Sequence, residues 1–371
     1  MSASPERALA RVRLDAVRRN CRHLRSLLTQ GAELCVVVKA DGYGHGAAEC
    51  ARAAREGGAA WIAVATAGEA TGLRAAGIEG RLLVMGALTA AEARRALDAD
   101  ADVVAWDPGF LRALPADESR PARVHVKLDT GMGRLGTRDR SEARALVEEA
   151  HSTPGLQLAG VMTHFATADE SGDEHFPAQL KRFDAFVAEL GDLREGLVVH
   201  AANSAATFRE PRAHFDMVRC GIAVYGLDPF QEDPSPRGLE PALGLESYVA
   251  AVRRFEPGDS AGYGRRWAAS EPTWVGTLPI GYGDGWRRAL TNDCDVLVRG
   301  RRHPLVGTVS MDNVTVDLGP DTDVAPGDAA VLIGAQEGER ILCEEVARRL
   351  ETINYEVVCG LAGRVTRRYE G

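Results

Sequence analysis

The chain has 371 residues, 45% of them hydrophobic and 26% charged, with a formal net charge of −9. That composition excludes a disordered polymer and leaves room for one large domain plus a smaller one. No Lys/Arg cluster of the kind that binds a phosphate backbone is present, so the expected ligand is a small molecule and not nucleic acid.

The first predicted element is an amphipathic helix over 15–28, ahead of the first strand. An apolar run over 34–40 then ends in Lys39 and opens into the glycine-rich turn Asp41-Gly42-Tyr43-Gly44-His45-Gly46, before a helical pattern over 47–56. Further apolar, β-branched runs recur over 61–66, 81–86, 102–106, 124–129, 158–164, 198–203 and 217–225, with helical patterns over 90–97, 141–151 and 178–190. Strands alternating with helices imply βα units in a parallel sheet. Eight of them within about 200 residues fit an α/β fold of the closed (β/α)8 TIM-barrel type better than an open sheet, with the initial helix packed at the barrel's foot.

Around 228–244 the texture changes to Pro229, Pro234, Pro236, Gly238, Pro241 and Gly244, a turn-rich connector. The boundary is placed there, with residues 1–235 as the barrel domain and 236–371 as a mostly β C-terminal domain. The second domain carries β-like runs over 247–255, 274–278, 295–298, 305–309, 314–318 and 329–333, and only 343–350 reads as a helix. Seven scattered cysteines without a C-x-x-C pair fit reduced, packed thiols and carry no metal signature. The run Met1 to Arg7 lacks the apolar core of a secretory leader, and no stretch has the ~20 apolar residues of a membrane helix, so a cytoplasmic location off the membrane is expected.

In such a barrel the C-terminal strand ends carry chemistry. Lys39 stands at the first, Arg134 follows the fifth through Asp129-Thr130-Gly131-Met132-Gly133, His164 ends the sixth, Asn203-Ser204 the seventh, and Arg219 lies on the eighth. Taken singly, each is more simply a solvated or core polar residue. Together they fit a phosphate-bearing carbonyl cofactor: a lysine to form an imine, backbone N–H groups and hydroxyls for the phosphate, and an arginine for a ring atom. Pyridoxal 5'-phosphate meets that description. Arg219-Cys220-Gly221-Ile222 offers adjacent N–H groups, and Ser204 and Tyr43 offer hydroxyls for the same anion. The glycines around Tyr43 match neither a Rossmann nor a Walker spacing.

Several segments, in order, carry a resemblance. They are Val38 to Gly46, Lys127 to Gly136, Met162-Thr163-His164, Ala202-Asn203-Ser204, Arg219 to Ile222, Tyr263-Gly264, Gly281-Tyr282, Ser310-Met311-Asp312 and Asn354-Tyr355-Glu356. The set resembles the bacterial alanine racemases across both domains. The resemblance implies interconversion of L- and D-alanine on a pyridoxal phosphate aldimine, feeding peptidoglycan synthesis. It further implies a homodimer whose site joins one subunit's barrel to the partner's β domain.

On that resemblance Lys39 holds the cofactor and acts as one base, while Tyr263 acts as the other from the opposite face. Arg219 addresses the pyridine nitrogen and, as a pure donor, keeps it unprotonated. His164 orients Arg219, and Arg134 serves the phenolate and substrate carboxylate. Tyr43, Asn203, Ser204, Gly221, Ile222 and Tyr355 belong to cofactor binding, and Tyr282, Met311 and Asp312 to the substrate side. Lys127 is a carbamylation candidate, its alternatives being an ammonium splayed away from Arg134 or one paired with a carboxylate such as Asp129. Departures from the family pattern are Ser310 for a cysteine, Ala261-Gly262 for Val-Ser, and Gly283-Asp284 for Ala-Asp. The bulk of Tyr263, Tyr355 and Met311 favours a small side chain as a preference, not an absolute rule.

Two alternatives stand beside this reading, the first of the same barrel-plus-β architecture and the second a single-domain barrel. A pyridoxal-phosphate amino-acid decarboxylase uses a carboxylate where this chain has Arg219. A non-catalytic pyridoxal-phosphate carrier has no use for the second domain or for Tyr263.

Overall fold

A computed structural model describes residues 6–115 and 117–371. Met1 to Pro5, on which part of the leader reading rests, lie outside the described residues. The chain divides into two compact units, Val17–Val224 and a second built from Met1–Ala16 with Tyr225–Gly371. The first strand, β1 (Leu9–Arg13), pairs in the second unit and not with the barrel, to which the sequence pattern assigns everything up to 235.

In the first unit the barrel strands are β2 (Glu33–Val37), β3 (Trp61–Val64), β4 (Arg81–Val84), β5 (Asp102–Ala105), β6 (Ala122–Lys127), β7 (Leu156–Met162), β8 (Val198–His200) and β9 (Met217–Cys220). Each pairs in parallel with the next, and β9 returns to β2 from Glu33↔Met217 to Val36↔Cys220, closing the barrel. All eight overlap the runs read from sequence; each ends one to five residues earlier, where the turn begins, and β2, β6 and β7 start one or two residues before their runs. The initial helix, Leu14–Leu27, buries Cys21 against Gly57, where an added Cβ would lie 2.6 Å from the Cys21 Cβ.

Three barrel-unit helices are not visible as periodic patterns in the sequence: Ala67–Ala75, Pro108–Ala113 and Ser204–Arg209. Each is short and depends on its start signal. Thr66 and Glu69 form a reciprocal capping box, Asp107 caps a helix opening with Pro108, and Asn203 caps the third.

Aliphatic layers usually fill such a barrel. Here Asp102, His125, Lys127, His200 and Arg219 are all buried polar groups on the strands. His125 and His200 touch although β6 and β8 are not neighbours, so their contact runs through the barrel interior.

The second unit holds a ten-stranded sheet. Its order is Ala251–Phe255, Thr273–Leu278, Val314–Gly319, Arg301–Val306, Asp295–Val298, Ala329–Gln336, Leu243–Tyr248, β1 and Thr366–Glu370, with Glu339–Ile341 paired to Ala329–Gln336. The single run expected over 247–255 is two strands, Leu243–Tyr248 and Ala251–Phe255, on different sheet neighbours. Besides Cys343–Arg349 there is a second helix, Asn354–Cys359, whose six residues are too few for a periodic signal. Among the described residues no helix is long and apolar enough to cross a membrane.

Candidate active site

Lys39 lies two residues beyond β2, half-buried, at the start of a turn with unusual backbone. Ala40, Asp41, Gly42, Tyr43 and Gly44 all have positive φ, from 52° to 77°, so one complete left-handed turn follows the lysine. Each non-glycine residue in that conformation costs about 1–2 kcal/mol. Fixed bonds offset the strain: Gly42 N–H donates to Val38 O at 2.8 Å, Gly44 N–H to Ala40 O at 3.0 Å, and Ala47 N–H to the Asp41 carboxylate at 2.9 Å. Glu69 also takes part, accepting from Ala40 N at 2.7 Å through one oxygen while its other caps Ala65 and Thr66. Strain retained at a strand tip is a mark of a functional turn.

The left-handed turn aims Tyr43 inward. Its hydroxyl sits where a Cβ on Gly221 would lie, 2.3 Å away, so only glycine fits at 221. Ser204 Oγ accepts from Gly221 N at 3.1 Å and from Ala223 N at 3.4 Å, which ties the start of Ser204–Arg209 to the segment after β9. The Asn203 side chain accepts from Ala206 N at 3.0 Å and thereby fixes Ser204. Ile222 is buried and begins a 3-10 turn.

Arg219 is buried, and the two hydrogens of its Nη2 are shared among Thr163 O at 2.9 Å, Ala201 O at 3.0 Å and His164 Nδ1 at 3.1 Å. Its Nη1 donates to His200 Nδ1 at 2.9 Å. Among the described residues no carboxylate pairs with it. Burial lowers its pKa to about 10, which leaves it charged at neutral pH. His164 is pushed well below the usual histidine value by burial, then by Arg219, Lys127, Arg134 and Lys39. Lys127 falls to about 8 through burial, then Arg219 and Arg134, with Asp129 pulling the other way. The barrel mouth is therefore cationic.

Arg134 is exposed on the loop after β6. Asp129 builds that loop, accepting from the N–H groups of Gly131, Met132 and Gly133 and from Arg138 Nε. Its carboxylate is thus committed, and among the described residues Lys127 has no ion-pair partner. Gln179, which no sequence signal marks, donates to His164 O at 3.1 Å and to Thr130 Oγ1 at 3.3 Å, stitching the loops after β6 and β7 together.

In the second unit Tyr263, Tyr282 and Met311 are 74%, 42% and 52% exposed, three of the six exposed large apolar side chains among the described residues. Thr308 Oγ1 donates to Tyr263 O at 2.6 Å. Tyr282 N donates to Ser310 O and Gly283 N to Met311 O, so the two loops run together. Asp312 accepts from Arg364 Nη2 at 2.7 Å. Buried Asp284 anchors this corner: it takes two bonds of 2.7 Å from Arg7, one from Arg364 Nε and one from Gly281 N. Tyr355 is half-buried near the start of Asn354–Cys359.

Models of the alanine racemase N-terminal domain and C-terminal domain match residues 12–229 and 242–369. The chain is 43% identical to an alanine racemase of Symbiobacterium thermophilum, covering 98% of this chain and 97% of the relative. It is 42% identical to that of Geobacillus stearothermophilus, covering 96% and 92%. The crystal structure of alanine racemase from E. faecalis superposes with a TM-score of 0.92 at 37% identity, covering 98% of each chain. That from D-cycloserine-producing Streptomyces lavendulae gives 0.91 at 39%, covering 99% and 98%. With the closed barrel, the β-rich second unit and both domain models in agreement, the chain belongs to the alanine racemase family.

Proposed function

We propose that this protein interconverts L-alanine and D-alanine with pyridoxal 5'-phosphate, as a cytoplasmic homodimer that supplies D-alanine for peptidoglycan. The observation that carries the reading is Arg219, a buried guanidinium at the barrel mouth with no carboxylate beside it among the described residues. A decarboxylase of this architecture needs an acid at that place, and this chain offers a pure donor.

The residues fit the cofactor. Gly221 leaves room that any Cβ would take, next to the Tyr43 and Ser204 hydroxyls and the Ile222 N–H, a donor set suited to a phosphate, while the Gly221 N–H is held by Ser204 Oγ. Arg219 Nε has no partner among the described residues, and Nη1 uses one hydrogen for His200, so donors remain for a ring nitrogen. Lys39 Nζ is the covalent anchor.

Bound pyridoxal phosphate supplies the electron withdrawal that makes the substrate Cα–H acidic. Lys39 Nζ and Tyr263 Oη exchange protons with Cα from opposite faces, each donating where the other accepts, and so invert the centre. His164 holds Arg219, Gln179 holds the loop that carries His164, and Arg134 binds the substrate carboxylate. Tyr263, Met311, Tyr282 and Asp312 come from the partner subunit, and the exposure of the first three suits residues that a partner covers.

Incubation with L-alanine in deuterated water tests the reading. Deuterium at Cα appearing together with the D-isomer supports it. Release of ethylamine and carbon dioxide, or no turnover at all, overturns it.

A further inference from the structure

Deeper in the barrel than the proposed site, four buried side chains form a continuous line. Asp102 Oδ2 lies 3.1 Å from His125 Nε2, His125 Nδ1 lies 2.9 Å from His200 Nε2, and His200 Nδ1 lies 2.9 Å from Arg219 Nη1. The strands concerned are β5, β6, β8 and β9, so the line crosses the barrel interior and ends at the guanidinium proposed to face the cofactor.

The chemistry of its two ends fixes the direction of every bond. Asp102 is ionised: burial alone raises its pKa, but His125, Arg123 and Arg81 outweigh that and bring it to about 2. Arg81 Nη2 donates to it at 2.7 Å and Arg123 Nε at 2.5 Å. An ionised carboxylate only accepts, and a guanidinium only donates. His125 must therefore carry its proton on Nε2, and if neutral it accepts at Nδ1. His200 then donates from Nε2 and accepts from Arg219 at Nδ1. A doubly protonated His125 would reverse His200 and set an Nδ1–H against an Arg219 N–H. One assignment of protons satisfies the whole line.

The surroundings are shaped for it. A Cβ on Gly160 would lie 2.5 Å from His125 Nδ1 and 2.4 Å from Val198 O, so glycine there makes room for the ring. Trp61 meets His125 edge-on with centroids 5.8 Å apart, and Arg81 stacks over Trp61 at 4.1 Å. Lys127, two residues along β6 on the same face, also acts on His200, after Arg219 and His125.

We infer that Asp102 and His125 are positioning residues, which act through His200 to supply a polarised, one-directional hydrogen-bond chain that orients Arg219. A polar line of this kind answers the absence of a direct carboxylate: Arg81 and Arg123 already pair Asp102, and the line gives the buried guanidinium a fixed neutral acceptor in His200, so Arg219 is held in place without being neutralised. The role of Arg219 rests on the proposed function. The proton order in the chain does not.

The test uses 15N-histidine-labelled holoenzyme near pH 7 and reads the tautomer of each ring by nitrogen–proton correlation. The expected result is Nε2–H with bare Nδ1 for both His125 and His200. An Nδ1–H on either ring overturns the inference. Asp102→Asn removes the charge at the far end while its amide oxygen can still accept. It is expected to shift the His125 and His200 ring-nitrogen resonances, one and two hydrogen bonds away, to alter the cofactor absorption band, and to lower kcat about tenfold, the scale of lost outer partners. Asp102→Glu restores the wild-type resonances and band. An Asp102→Asn protein that folds with those resonances and the absorption band unchanged shows a packing role only and refutes the proposal. If that variant does not fold, the wild-type tautomers decide alone. The expected tautomers in a chain that fails the deuterium experiment remove the proposed function and leave the hydrogen-bond chain standing; the wrong tautomers in an active racemase do the reverse.

Discussion

Arg219 Nη2 stands 3.1 Å from His164 Nδ1, and because arginine only donates, His164 must present a lone pair there and carry its single proton on Nε2. A neutral histidine beside a cation has a consequence for stability. Its folded-state pKa is depressed, as is that of fully buried His200. The unfolded chain binds the proton first on acidification, so this stabilisation is complete above the unfolded value near 6.5 and is lost as pH falls below it. Below that point the fully buried His200 alone costs about 1.4 kcal/mol per pH unit. Urea unfolding of the cofactor-free protein at pH 7.5, 6.5 and 5.5 is expected to show this decline, with a shallower slope in His164→Gln. A flat profile contradicts the neutral assignment.

The Gly221 position tests the anion cradle. A Cβ there would lie 2.3 Å from the Tyr43 hydroxyl, and the neighbour is a ring held by a left-handed turn that cannot easily give way. Overpacking of this kind costs about 1–3 kcal/mol. Gly221→Ala is expected to weaken pyridoxal phosphate binding by about ten- to a hundredfold with little change in the barrel's circular dichroism. Absorbance titration checks it, and unaltered affinity removes Gly221 from the cradle.

Lys127 has its pKa at about 8 and Asp129 already taken by three backbone N–H groups and Arg138. A sizeable neutral amine fraction in a cationic site is suited to carbon dioxide: the amine forms an N–C bond, releases one proton, and leaves a carbamate anion beside Arg134. Protein equilibrated with 13C-bicarbonate is expected to show one carbamate resonance that disappears in Lys127→Ala. A spectrum without it, from fully active enzyme, dismisses the modification and leaves an ammonium among arginines.

Much of the barrel is legible in the chain. Its eight strands are readable because each is a short apolar run bounded by turn residues, and Lys39 stands out as the one charge just past the first of them. The left-handed turn after it is not legible, since Ala40 and Asp41 carry no signal for positive φ; glycines at 42, 44 and 46 mark flexibility without its hand. β1 is hidden because its partners, Leu243–Tyr248 and Thr366–Glu370, are more than two hundred residues away. Asp284, Gln179 and Glu69 are invisible for a related reason: each is one ordinary polar residue whose importance comes from backbone groups brought to it by folding. His125 carries a weak signal, a polar residue in the middle of an apolar run, which by itself reads as a satisfied core histidine.

The central claim is that Lys39 and Tyr263 of different subunits serve one substrate. Mixing purified Lys39→Ala and Tyr263→Phe proteins under conditions that exchange subunits tests it most directly. Each parent is expected to be nearly inactive, and the mixed dimer to contain one complete site, so activity should return to about one quarter of wild type at full random exchange. Mixed dimers that form, as mass spectrometry verifies, and stay as inactive as their parents contradict the shared site.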